Sequence, residues 1–215
     1  MPFDFLRRKK GPDASGTPPS SAAGRGTDGI LFDGVTEDWR LVGRMLVAGR
    51  LSDALNRREP IAIADVSWAP VDGSGPLVPA PGLKSVDPYD LVIVFAGDDS
   101  VPEMNDDERT AHRVHKVSYE VALEVPPFRV VGTVLLHPGS EPDSLLYRSS
   151  EMFVPVVDAT ATIGGRPVAD APMAAILVNR QYLRGVEQVD ARTGERHVKL
   201  PGASMGGVNW SDRAR

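Results

Sequence analysis

The sequence predicts a mainly β protein with minor α, made by tandem duplication of a small β-β-α-β-β unit. The two copies are expected to form one pseudo-symmetric barrel or sandwich. Three observations predict this. Gly (21) and Pro (19) supply 40 of 215 residues, well above the usual share of roughly 12%, which favours turns and short strands. The apolar runs are short, alternating and rich in β-branched residues. A seven-residue string also recurs, and internal repeats define architecture before any single element does.

The folded part is expected to begin near Ile30. Residues 11–29 hold five Gly, three Pro, three Ser, two Thr and three Ala, and no apolar side chain larger than Ala. Such a segment cannot bury enough surface to offset its ordering entropy, so residues 1–29 read as a disordered tail and tether. At its start, Phe3, Phe5 and Leu6 precede Arg7, Arg8, Lys9 and Lys10. An export signal runs the other way, basic before apolar, so the expected location is cytoplasmic.

The first repeat spans 30–99. Arg40-Leu-Val-Gly-Arg-Met-Leu46 matches Arg129-Val-Val-Gly-Thr-Val-Leu135 at four of seven positions, with an aromatic residue, Trp39 or Phe128, ahead of each. Thr36-Glu37-Asp38 turns the first hairpin and Pro126-Pro127 the second. A helical turn follows at 51–56 and again at 143–147, with Ser52 and Asp53 as N-cap types and Pro142 at a tolerated first-turn position. Strands are then expected at 61–68 and 91–95, matched by 153–161 and 174–179. The copies differ in one connection: residues 69–90 form a loop of 22, twice its counterpart at 162–172, and loops of that length are usually functional or disordered.

Residues 100–115 join the copies. Asn105 and Glu108 suit a capping box, Asp106 and Asp107 suit a first turn, and Arg113 and Lys116 suit the far end, so a connecting helix is expected. The second repeat spans 116–183. Residues 184–215 read as a hairpin turning at Gly194, followed by a loose tail.

Charge and composition exclude several function classes. Net charge is −5. The tails are basic, and residues 97–114 carry six acids against two bases. Without cysteine there is no disulfide, thiolate nucleophile or Cys-ligated metal. No stretch is long and apolar enough to span a membrane as a helix.

Catalytic and cofactor motifs are weak. His112 and His115 share a helix face, but a metal needs a third ligand and only Glu108 is near; two half-exposed histidines are the simpler reading. His137 and His197 are isolated. Asp65 and Asp158 fall at equivalent repeat positions and could form an acid/base pair across a pseudo-dyad. The structural alternative is two carboxylates serving the turn that follows each strand. Gly24-x-Gly26-x-x-Gly29 has dinucleotide-loop spacing but lies in the tether with no strand before it. No catalytic residue, metal ligand or cofactor is therefore assigned.

Residues 175–185, Ala-Ile-Leu-Val-Asn-Arg-Gln-Tyr-Leu-Arg-Gly, resemble the closing half of Sm-like barrels, where an aliphatic strand meets a polar residue and then another strand. That resemblance covers about ten residues and implies an RNA-binding small barrel. Against it, the folded region is acidic and has no aromatic-plus-basic stacking surface, and the expected helix lies between strands, so nucleic acid is not the expected partner.

The leading functional reading is a non-enzymatic cytoplasmic interaction or regulatory module. Its partner-binding residues would be Phe3, Phe5, Leu6, Arg7, Arg8, Lys9 and Lys10, contacting an unknown protein or, weakly, an anionic membrane surface. The alternatives are a ligand-binding protein or enzyme with its site at the repeat junction, and RNA binding.

Overall fold

A computed structural model describes residues 29–47, 49–97, 116–147, 151–169 and 171–190. The N-terminal peptide, the expected helix at 100–115 with His112 and His115, and Gly194, His197 and Trp210 lie outside the described residues. The described chain holds β1 (Ile30–Val35), β2 (Trp39–Met45), α1 (Leu51–Asn56), β3 (Ile61–Pro70), β4 (Val78–Pro79), β5 (Ser85–Val86) and β6 (Ile93–Ala96). It continues with β7 (Val117–Val125), β8 (Phe128–Leu136), β9 (Phe153–Ile163), β10 (Arg166–Pro167), β11 (Met173–Asn179) and β12 (Gly185–Gln188). Short 3₁₀ turns cover Pro88–Asp90 and Pro142–Leu146.

These strands form one open antiparallel sheet in the order β12-β7-β8-β9-β11-β6-β1-β2-β3-β4. The expected closed barrel or pair of facing sheets is not formed, and the reason lies at the centre. β6 is buried at every position, and β11 is buried over its last four. Ile93, Phe95, Ile176 and Val178 enter one apolar cluster, with Val121, Val130, Val156 and Leu145. Val94, Ala96 and Leu177 enter another, with Phe32, Met45, Leu51, Leu55 and Ile63. The central strands thus serve two cores on opposite sheet faces. Strands buried on both faces read as continuous apolar runs, not alternations, as Leu91-Val-Ile-Val-Phe95 and Ile176-Leu-Val178 do.

The two units follow different strand orders. In the second, β7-β8-β9-β11 is a plain meander. In the first, β6 leaves β3 and pairs with β1, Gly34 opposite Val94. The two connections also differ in length. Nine residues (164–172) join β9 to β11, whereas 22 (71–92) join β3 to β6. The longer connection can pass three strand spacings, about 14 Å. It is not strandless: β4 and β5 cover the edge of β3, Trp68 opposite Val78 and Ile61 opposite Val86.

One local expectation changes. The N-cap of α1 is Arg50, without a side-chain cap bond, and Ser52 and Asp53 lie inside the helix; Leu51 and Leu55 set its start by entering the core. Residues 185–188 form an edge strand on β7, Val186 opposite Leu123.

Candidate anion-binding groove

Asp65 and Asp158 do not meet. β11, β6, β1 and β2 separate their strands in the sheet. Each is the extra residue of a β-bulge. Pairing slips between Val42 and Arg44 on β2 and between Val131 and Thr133 on β8. The bulge residues take left-handed φ, +52° at Asp65 and +49° at Asp158, a conformation Asp tolerates better than most residues. Each bulge pushes a carbonyl toward the neighbouring strand, where only glycine fits. A Cβ on Gly43 or on Gly132 would stand 2.8 Å from the oxygen of Ala64 or Val157, respectively. His137 is exposed beyond the end of β8. Among the described residues, no group of three metal-ligating side chains is brought together.

Two asparagines tie the units to each other. The Asn56 side-chain oxygen, at the end of α1, accepts from the backbone N–H groups of Met152 and Phe153, both at 2.8 Å. Asn179, the one fully buried polar side chain among the described residues, donates to the Leu91 carbonyl at 2.8 Å and the Pro88 carbonyl at 3.3 Å. It also accepts from the Gln181 N–H at 3.0 Å. An unsatisfied buried amide costs about 1–3 kcal/mol, so these bonds fix the end of α1 and the residues after β11.

Between those two ends runs a groove of about 640 Å³ lined by Arg58, Leu146, Tyr147, Glu151, Met152, Arg180, Gln181, Leu183 and Arg184. Met152 and Leu183 form its buried floor; Leu146 and Tyr147 are exposed, Tyr147 to 73%. Arg58 follows α1 with φ +62°, where a non-glycine residue costs about 1–2 kcal/mol. The Arg180 N–H donates to the Met152 carbonyl at 2.8 Å, which sets the side chain against the groove wall. Its guanidinium donates from Nη1 to the Tyr147 carbonyl at 3.3 Å. Nε is buried and has no hydrogen-bond partner among the described residues. Burial lowers the Arg180 pKa, and Glu151 offsets this in part; arginine nonetheless stays charged.

The groove lining therefore carries Arg58, Arg180 and Arg184 with one carboxylate, Glu151, and exposed leucine and tyrosine beside them; Arg58 and Glu151 already have interactions of their own. Planar guanidinium forks match carboxylate and phosphate oxygens. Little in the sequence announces it, because Arg58 and Arg180 come from different units. The available signals are local. Arg58 occupies the post-helix position that glycine usually takes, and Arg180 directly follows a buried strand.

A second cleft, of about 280 Å³, is lined by residues of the β3–β6 and β9–β11 connections, with Val35, Arg40, Asp72, Phe128 and Arg166 on its walls. Its charges are already engaged. Arg40 makes a bidentate pair with Asp33 at 2.9 and 2.6 Å. Hydrogen bonds from Ser74, and more weakly the Arg166 charge, hold the Asp72 carboxyl below its usual range.

No family model matches the chain, and neither the curated proteins nor the solved structures contain a match to it.

Proposed function

We propose that this chain is a non-enzymatic cytoplasmic interaction module whose arginine groove takes an acidic segment of a protein partner. The observation that carries the reading is Arg180: a half-buried guanidinium whose Nε lacks an acceptor among the described residues, with Arg58 and Arg184 in the same groove lining. Turning of the side chain on binding would bring Nε to an incoming carboxylate, which would supply the missing bond. A protein is favoured over a small anion by the exposed Leu146 and Tyr147, since arginine and tyrosine beside apolar surface are the usual anchors of protein interfaces. Phe3, Phe5, Leu6, Arg7, Arg8, Lys9 and Lys10 belong to the same reading as a second, docking element.

We also infer that the two units arose by tandem duplication. The recurring Arg-x-Val-Gly string and the matched Gly–bulge–Asp arrangement at 43/65 and 132/158 support it. The different strand orders would then follow later lengthening of one connection.

The groove reading is tested by titrating the full chain with a fluorescein-labelled hepta-glutamate peptide and following anisotropy. Losing one charge-assisted bond costs about 1.5–3 kcal/mol, so Arg180→Gln should weaken binding roughly 10- to 100-fold. Arg166→Gln, in the other cleft, should leave it unchanged. Equal loss in both variants would reduce the effect to general electrostatics and overturn the reading.

A further inference from the structure

The tip of the first hairpin carries an aromatic surface that no described residue covers fully. Trp39 and Trp68 pack with ring centroids 4.2 Å apart and planes tilted by 59°, yet both are more than a third exposed. Val78, opposite Trp68 on β4, extends the patch and is 48% exposed. Glu37 and Asp38, both exposed, form the turn that leads directly into Trp39. The surface is thus apolar with an acidic rim.

Residues 3–10 have the complementary order: Phe3, Phe5 and Leu6, then Arg7, Arg8, Lys9 and Lys10, against a single acid, Asp4. We propose that this peptide docks in cis on the Trp39–Trp68 pair of its own chain. The aromatic and leucine side chains would cover the indoles, and the basic run would meet Glu37 and Asp38, with cation–π contact to an indole face as a further contribution.

Geometry favours the chain's own peptide over one from outside. Thr36 and Trp39 close the hairpin, the Thr36 N–H donating to the Trp39 carbonyl at 2.8 Å. The linker enters the fold at Gly29, at the opposite end of β1. Six strand residues at about 3.3 Å each put the patch about 20 Å away. Residues 11–28 form a Gly/Ser/Pro-rich linker of 18, whose root-mean-square span is about 21–25 Å. Effective concentration is greatest when span and separation match, and reaches the millimolar range, so even a weak contact would be mostly formed. This inference rests on residues 3–10 being a docking peptide and is independent of the arginine groove.

The test uses the full chain with Trp210→Phe, so that emission comes from Trp39 and Trp68 alone, and compares it with the same chain lacking residues 1–10. Docking predicts a red shift and a rise in acrylamide quenching on deletion, independent of protein concentration. Synthetic peptide 1–10 added in excess should reverse both, and Phe3→Ala/Phe5→Ala/Leu6→Ala in the full chain should reproduce the deletion. Identical emission and quenching with and without residues 1–10 would overturn the proposal. If the full chain then still bound anionic phosphatidylserine vesicles better than the deleted one, the peptide would remain a docking element with an outside target; equal binding would remove that role too. A deletion effect that grows with protein concentration would mean contact between copies, and would equally overturn docking in cis.

Discussion

Gly43 lies directly against the carbonyl oxygen of Ala64, 2.8 Å from where a Cβ would stand. Gly132 stands in the same relation to Val157. Real Cβ–oxygen contacts are longer, and the obstructing atom is backbone, so any side chain must displace a strand. Gly43→Val or Gly132→Val should destabilise by at least ~1 kcal/mol, read as a lower denaturant midpoint at unchanged slope. An unchanged midpoint would show that the bulge relaxes freely.

The aspartates opposite these glycines make a complementary prediction. Asp65 and Asp158 hold left-handed φ, which glycine adopts at no steric cost and valine adopts poorly. Asp65→Gly should leave stability within about 0.5 kcal/mol of the parent, while Asp65→Val should lower it by roughly 1–2 kcal/mol. If the two variants lose the same amount, the carboxylate matters and the backbone conformation does not.

The two asparagines should matter locally as well as globally. Asn56→Ala leaves the Met152 and Phe153 N–H groups without their acceptor, a loss of about 1–3 kcal/mol. Hydrogen exchange at those two amides should accelerate more than at the centre of β9. Uniform acceleration along β9 would mean that Asn56 supports the whole fold and not this seam.

Strand positions were legible because alternation and β-branching report burial directly. The expected 153–161 strand begins where β9 begins and stops two residues short of its end. The helical turn at 51–56 was legible in the same way. Strand order was not. Nothing in residues 69–90 says that β6 should pass β3 and pair with β1; that outcome depends on which apolar edge is left uncovered once β4 and β5 occupy the rim of β3. The arginine groove was hidden for a related reason, since 122 residues separate Arg58 from Arg180 and only the finished sheet brings them together. The aspartates stood out in the sequence for a reason that proved conformational: their spacing recorded a bulge.

Alkaline pH probes the loop that holds Asn179. The Tyr182 hydroxyl donates to the Tyr89 carbonyl at 3.1 Å, and its pKa is raised by burial first, then by Glu37 and Asp90. A raised pKa in the fold means that the neutral phenol is favoured there. Its stabilising contribution is therefore present below about pH 10, the unfolded value, and is lost as pH rises through the folded one. Tyr182→Phe should flatten that alkaline limb of a melting-temperature profile. A limb of the same steepness in the variant would assign the loss to other groups.

The central claim, that an acidic segment completes the coordination of Arg180, is tested most directly by the Nε–Hε resonance of that residue in a proton–nitrogen NMR spectrum of the full chain. Arg180→Lys provides the assignment. Without peptide, the buried Nε–H should exchange slowly with water. On addition of the hepta-glutamate peptide it should move downfield, because it gains a carboxylate acceptor, while the Arg166 resonance stays in place. A peptide that shifts Arg166 or the backbone generally, and leaves the Arg180 Nε–H where it was, would contradict the account.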